Sequence, residues 1–205
     1  MVNVRLLKKI LMWTGIVILV GYIGLVIYRI PAVLEKQKTE ETVTRIHAAK
    51  LTLADVMGEN LPPPPDPALK DATIQGIDTN GNGIRDDVEL AIFEKYPDSA
   101  RVRAALLQYA KASQMYLTEV FNEETLVATI QEESRGSGCL FDTTFGMILT
   151  ERNRVTQTLK TEVYDFSFNT DERGQKHEEV LKKYMTSHGD WGSSNCDIDL
   201  NLLSN

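Results

Sequence analysis

The feature that constrains this chain most is an uninterrupted apolar run near its N-terminus. Residues 10–28 read ILMWTGIVILVGYIGLVIY, without a charged side chain. As an α-helix this run is ~28 Å long, close to the ~30 Å thickness of the hydrocarbon core of a bilayer. Lys8 and Lys9 precede the run and Arg29 follows it. We therefore predict a transmembrane helix over residues 10–30 and a cytoplasmic segment over residues 1–9.

The main alternative for this run is a cleaved signal peptide. Signal peptides have a shorter apolar region of about 7–15 residues and a cleavage site of the small-x-small type. Here the apolar run is longer, and Arg29, Ile30 and Pro31 follow it instead of small residues. An uncleaved single-pass anchor is the favoured prediction, and the signal peptide remains the alternative.

The charge beyond this run argues against nucleic acid as a partner. The first 30 residues hold four basic and no acidic side chains, so residues 31–205 carry 18 basic and 29 acidic residues, a formal charge of −11. A domain this acidic repels a phosphate backbone over about a Debye length, and the sequence shows no basic stripe that would offset the repulsion. We expect no binding to nucleic acid.

Residues 31–65 are expected to connect the anchor to a folded domain. Their first part mixes aliphatic residues with Lys and Glu, which fits a helix that continues out of the bilayer. Prolines then stand at positions 62–65 and 67. Because each proline fixes φ and removes a backbone donor, this stretch must be extended. We predict a stiff Pro-rich spacer, with an SH3-type ligand as the less favoured alternative, and a domain over residues 66–205.

The pattern of the remaining sequence predicts an all-α fold. Helices are expected over residues 86–96, from residue 99 to 121, over 123–133 and over 171–185. Arg135, Gly136, Ser137 and Gly138 are expected to stop the third helix. A fourth, long helix is indicated by apolar residues at helical spacing: Phe141, Phe145, Ile148, Val155, Leu159 and Val163. No segment alternates as a strand would, so we predict a small irregular helical bundle.

The sharpest motif is a calcium-type loop at the entry to this bundle. Residues 78–89 read DTNGNGIRDDVE, with oxygen-bearing side chains at loop positions 1, 3, 5, 9 and 12 and glycine at position 6. A hard divalent ion takes roughly six to eight oxygens, and this spacing can direct them to one centre. The predicted ligands are the side chains of Asp78, Asn80 and Asn82, the carbonyl of Ile84, Asp86 directly or through water, and a bidentate Glu89.

This stretch resembles the loop of EF-hand proteins and, more closely, the loops of thrombospondin type 3 and bacterial calcium repeats. Similar loop-plus-helix segments occur in bacterial envelope proteins. The EF-hand has its aliphatic residue at position 8, whereas Ile84 is at position 7, and residues 67–77 make a poor incoming helix. Because only about three of the predicted ligands are carboxylates and two are neutral amides, we expect one structural Ca²⁺ with a Kd on the order of 10⁻⁴–10⁻³ M, as in extracellular modules. The alternative is a turn that caps the following helix.

The two cysteines and the loop together predict the compartment. Cys139 and Cys196 form an even pair, which outside the cytosol indicates one disulfide between the junction of the third and fourth helices and the C-terminal tail. Two free buried thiols are the alternative. Basic residues on both sides of the apolar run leave the orientation open. The disulfide and a weak calcium site favour an inner-membrane protein whose domain lies in the periplasm or outside the cell.

The sequence offers weak support for an enzyme. His47, His177 and His188 are far apart and match no zinc-binding spacing. Cys139 paired with a histidine is the conceivable nucleophile. We therefore favour a binding or scaffolding module, with Trp191 as a candidate partner anchor. The alternatives are an envelope hydrolase without a recognisable site, and an accessory subunit that assembles through its transmembrane helix.

Overall fold

The computed structural model describes residues 4–185 and 196–204. Over these ranges the chain is helical and contains no strand, which confirms the predicted all-α class. The chain divides into two units, Met1–Glu41 and Thr42–Asn205. The helices are α1 (Val4–Ala48), α2 (Leu53–Met57), α3 (Asp86–Lys95), α4 (Ala100–Thr118), α5 (Glu123–Asp142), α6 (Leu149–Ser167) and α7 (Asp171–Tyr184), and a 3₁₀ helix covers Leu200–Leu202.

The N-terminal unit is formed by the first part of α1. Its most apolar stretch has a mean hydropathy of 2.5 and none of it is buried. The polar side chain of Thr14 is satisfied within the helix, because its hydroxyl donates a hydrogen bond to the carbonyl oxygen of Ile10 (2.9 Å). By length and composition, α1 is able to cross a membrane.

The second unit is organised around α4. This helix packs against α2, α3, α5, α6 and α7, and most of its residues are buried. The helix is therefore covered on nearly all sides. Its alanines give it a thin surface that lets the neighbouring helices approach closely. Ser99 caps its N-terminus by accepting a hydrogen bond from the backbone N–H of Val102 (3.2 Å).

Helix α5 runs on where the sequence predicted a stop. Arg135 and the two glycines that follow it lie inside the helix, which ends only at Asp142. A Cβ atom on Gly136 would lie 2.9 Å from the Cα atom of Tyr109 in α4. Glycine is therefore needed here because the two helices cross in close contact. The predicted break was wrong because tertiary packing overrides the low helix propensity of glycine.

The fourth helix is shorter than predicted. Phe141 belongs to the last turn of α5, and a turn with Gly146 at φ +95° separates α5 from α6. Phe145 and Ile148 were predicted to extend the apolar stripe of this helix, but both lie in the turn and are exposed. A helical spacing of apolar residues across a turn was mistaken for one continuous helix.

The compact unit starts before the predicted domain boundary at residue 66. Ile46, Leu51 and Val56 are buried, and the last two belong to the main core. The proline run connects α2 with the calcium-type loop within this unit, and Pro62 is buried. The segment before residue 66 thus contributes to the core, a role that its irregular apolar spacing did not reveal.

The two cysteines lie at disulfide distance, as the sequence predicted. The sulfur atoms of Cys139 and Cys196 are 2.04 Å apart. Cys139 stands inside α5, not at a helix junction. Next to Cys196, the carboxylate of Asp197 accepts hydrogen bonds from Arg135 (2.8 Å) and from the backbone N–H of Leu51 (3.0 Å). These contacts hold the C-terminal segment against α5 and the segment before α2.

Candidate metal centre

The first half of the calcium-type loop is organised by the carboxylate of Asp78. Its Oδ1 accepts a hydrogen bond from the N–H of Gly81 and its Oδ2 accepts one from the N–H of Gly83, both at 2.9 Å. Gly83, at loop position 6, has φ +86°, a conformation that residues with a Cβ adopt at a cost. A Cβ atom there would also lie 3.2 Å from Cε of Lys111. The glycine of the motif therefore meets both a conformational and a steric need.

Asn80 and Asn82 continue the same pattern and converge on Glu89. The Oδ1 of Asn80 accepts from the N–H of Asn82 (3.2 Å), and the Oδ1 of Asn82 accepts from the N–H of Ile84 (2.9 Å). Both side chains thus fold back over the loop, as in Asx turns. Their amide nitrogens each donate to a different carboxylate oxygen of Glu89 at 3.0 Å. Loop positions 3, 5 and 12 are brought together in this way.

Glu89 is the electrostatic centre of the site. It lies in the first turn of α3 and is 0 % exposed. Burial raises the pKa of its carboxyl to about 7, and the negative charges of Asp55 and Asp78 act in the same direction. The hydrogen bonds from Asn80 and Asn82 oppose the shift. A buried carboxylate that faces other negative charges is stabilised by a proton or by a cation, so the donor set fits a bound cation.

Asp86 closes the loop from the other side. Its Oδ1 accepts from the backbone N–H of Thr79 (2.8 Å) and its Oδ2 accepts from the hydroxyl of Thr79 (2.6 Å). Its own N–H donates to the carbonyl oxygen of Ile77 (2.8 Å). The side chain is fully buried. Asp86 therefore clamps the start of the loop to the start of α3, a role that the motif did not predict.

Positions 7 and 8 of the loop bind it to the protein core. The side chain of Ile84 is fully buried in the main core. Arg85 is also fully buried, and its guanidinium donates to Asp87 (2.7 Å) and to the carbonyl oxygens of Phe166 and Ser167 (both 2.9 Å). The EF-hand has its aliphatic residue at position 8, whereas this loop has Arg85 there. Arg85 uses this position to connect the loop to the end of α6.

The segment before the loop is held by an arginine and not by a helix. Arg173 of α7 is fully buried and donates to the carbonyl oxygens of Lys70 (2.9 Å), Thr73 (3.1 Å) and Ile74 (3.0 Å). It also donates to the carboxylate of Asp71 (2.6 Å). This anchoring of the loop joins residues far apart in sequence, so no local pattern could have predicted it.

Lys111 places a positive charge beside the loop. Burial lowers the pKa of its ammonium, while the charges of Asp197, Asp55 and Asp78 act to raise it. Its Nζ donates to the carbonyl oxygen of Lys50 (3.3 Å). Lys111, a residue of α4, thus partly balances the negative charge of the acidic groups around the loop.

The candidate donor set is mixed rather than acidic. Within residues 4–185 and 196–204, no group of three or more His, Cys, Asp or Glu side chains forms a metal cluster. The loop instead combines the carboxylates of Asp78 and Glu89 with two amide side chains and the backbone of Ile84. Amide and backbone oxygens are ordinary ligands of Ca²⁺ but weaken its binding relative to carboxylates.

The residues considered for catalysis have other surroundings. His177 stacks on Phe168, with ring centroids 4.3 Å apart, and burial lowers its pKa. His47 Nδ1 lies 2.9 Å from the carboxylate of Glu132. Cys139 is fully buried and paired with Cys196, so its sulfur is not a free nucleophile in this state. His188 and Trp191 lie outside the described ranges.

Comparison with known proteins returned no family model, no curated protein and no solved structure that matches this chain.

Proposed function

We propose that the chain is a single-pass membrane-anchored protein whose domain lies outside the cytosol, contains a structural calcium loop and acts as a binding or scaffolding module. The observation that carries the calcium assignment is the convergence of Asn80 and Asn82 on the buried carboxylate of Glu89. Loop positions 3, 5 and 12, which the motif assigns to one ion, thus lie in contact with one another in the fold.

The residues that would hold the ion are Asp78, Asn80, Asn82, the carbonyl of Ile84 and Glu89. Carbonyl and carboxylate oxygens have two lone pairs each, so the oxygens already used in loop turns keep a site for a cation. Asp86 remains a water-mediated candidate beside its role as a clamp. The bound cation would neutralise the negative charge of the buried Glu89, and it would join the loop to α3. Its effect is therefore on stability.

The anchor and the compartment follow from separate features. The apolar part of α1 has the length and composition of a membrane-spanning helix. Cysteines at disulfide distance and a weak calcium site both suit an oxidising, calcium-rich compartment. Together they support insertion in the cytoplasmic membrane, with the domain in the periplasm or outside the cell.

The test is the thermal unfolding of the oxidised full chain in detergent, in a few millimolar Ca²⁺ and in EDTA. For a Kd on the order of 10⁻³–10⁻⁴ M, linkage gives about 1–2 kcal/mol, or a rise in Tm of about 3–5 °C. Glu89→Gln should abolish this rise, because it removes the carboxylate ligand, and its own Tm in EDTA is the baseline from which the rise is measured. Asp165→Asn, an exposed carboxylate on α6, is the matched control and should keep the rise. An unchanged Tm of the unmodified chain would refute the calcium assignment.

A further inference from the structure

Lys111 is a buried lysine that packs against the calcium-type loop. It belongs to the central helix α4 and is 7 % exposed. A Cβ atom on Gly83, at loop position 6, would lie 3.2 Å from its Cε and 3.7 Å from its Cγ. Its Nζ donates to the carbonyl oxygen of Lys50 (3.3 Å). The aliphatic part of the side chain therefore lies along the loop, and the ammonium is held next to it.

The ammonium of Lys111 and the carboxyl group of Glu89 face the same negative charges. The carboxylates of Asp55 and Asp78 act on both groups, and that of Asp197 also acts on Lys111. Because Lys111, Asp55 and Glu89 are all buried, water and salt screen their interactions less than they would at a surface. Lys111 therefore compensates acidic groups that a Ca²⁺ ion in the loop would also compensate.

Lys111 is confined to this position. A lysine at a protein surface can turn its ammonium into water when a cation approaches. The side chain of Lys111 instead starts from a helix that is packed against five others, and its stem lies between this helix and Gly83. Its positive charge therefore stays next to the loop when an ion binds there.

We infer that Lys111 is the counter-charge of the metal-free loop and that it sets the calcium range of the site by weakening the binding of the ion. Without Ca²⁺, Lys111 compensates Asp55 and Asp78, so the loop remains folded. When Ca²⁺ binds, the ammonium and the ion repel each other, so a higher calcium concentration is needed. The inference rests on the proposed function, because it concerns the affinity of the proposed calcium site.

The experiment compares the unmodified chain with Lys111→Met, which keeps an aliphatic side chain and removes the charge. The Tm of each oxidised full chain in detergent is measured in a series from EDTA to about 10 mM Ca²⁺, at constant ionic strength. The concentration at which the Tm begins to rise reports the Kd. For Lys111→Met this concentration should be lower by a factor of roughly ten, because one repulsive charge has been removed next to a divalent ion.

The same coupling is measured a second time from the stability of the two chains. Linkage is reciprocal, so a residue that weakens the binding of an ion contributes less stability when the ion is bound. Lys111→Met should lower the Tm in EDTA, where Asp55 and Asp78 lose their counter-charge. In saturating Ca²⁺ this loss should be smaller by about 3 °C, which corresponds to the tenfold change in Kd. Equal losses in both solutions would assign Lys111 a packing role only and overturn the inference.

Two further variants control for net charge and for the size of the side chain. Lys182→Met, at an exposed lysine in the last turn of α7, changes the net charge by the same amount and should leave the calcium range unchanged. Lys111→Arg keeps the positive charge, so it should bind Ca²⁺ no more tightly than the unmodified chain. A shift in either control as large as that of Lys111→Met overturns the inference.

The outcomes separate the inference from the proposed function. If the Tm of the unmodified chain rises with Ca²⁺ and Lys111→Met responds over the same range, the inference is wrong and the calcium loop stands. If neither chain responds to Ca²⁺, the calcium loop itself is refuted. A Lys111→Met chain that is unfolded both in EDTA and in Ca²⁺ shows that Lys111 serves the fold, and it overturns the inference as well.

Discussion

The calcium-type loop and the exposed apolar turn over residues 145–149, called the apolar apex, are both turns that lead into a helix, and both depend on glycine with positive φ. The loop draws charged and polar side chains inward, so that Asp86 and Glu89 are fully buried. The apex turns Phe145 and Ile148 outward. In both turns glycine provides the change of direction. Whether the side chains of a turn are buried depends instead on whether other elements of the fold pack against it.

Arg85→Met should produce the largest effect, because it removes the guanidinium that ties the loop to α6. Asp87 would lose its buried partner, and the carbonyl oxygens of Phe166 and Ser167 would lose a donor. Breaking a buried charged pair costs about 3–5 kcal/mol. Denaturant unfolding of the full chain in detergent measures the loss. Arg154→Met, at an exposed arginine near the apex, is the control and should change stability by less than about 0.5 kcal/mol.

A loss for Arg85→Met as small as that of the control would show that the loop is not fixed by its buried arginine. Arg85→Lys sharpens the test. Lysine keeps the charge but lacks the planar fork that serves Asp87 and two carbonyl oxygens, so we expect it to recover only a minor part of the lost stability.

Asp86→Ala should cost about 1–2 kcal/mol, because it removes both hydrogen bonds to Thr79 that close the loop. If Asp86 acts as a clamp, the loss is the same in EDTA and in millimolar Ca²⁺. If Asp86 is a direct ligand, the loss is larger in Ca²⁺. Unfolding curves of this variant in both solutions distinguish the two roles.

The features that the sequence predicted correctly depend on residues close together in the chain, and the features that it missed depend on residues far apart. The helix class, the positions of α3 and α7 and the paired cysteines follow from local spacing and counting. The loop was found because six ligand positions lie within twelve residues. Its supports were not found, because Arg173 contacts a segment about a hundred positions away.

Phe145 and Ile148 of the apolar apex were predicted as part of a long helix for a related reason. Phe141, Phe145 and Ile148 keep helical spacing even though a turn lies among them. Periodicity records which residues could share a face, but burial requires another element to cover that face. Gly136 shows the converse, since a glycine typical of a helix end instead allows α4 and α5 to touch.

The pH dependence of the loop should be measurable without metal. Because the pKa of Glu89 in the folded chain is raised to about 7, above its ordinary value of 4.5, the folded state holds a proton that the unfolded state has released. In EDTA this contribution to stability is complete below about pH 4.5 and is lost as the pH rises through about 7. Tm against pH should therefore fall less steeply for Glu89→Gln than for the unmodified chain. Equal slopes would contradict the burial of this charge.

Substitutions in the apolar apex should have the smallest effect on stability. Ile148→Ser removes a side chain that is 76 % exposed and therefore contributes little to the core, so the expected change in the free energy of unfolding is below about 0.5 kcal/mol. Leu159→Ser, on the buried face of the following helix α6, is the matched control and should cost about 2–4 kcal/mol. Denaturant unfolding of both variants in the same detergent measures the difference. A large loss for Ile148→Ser would mean that the apex packs against the domain.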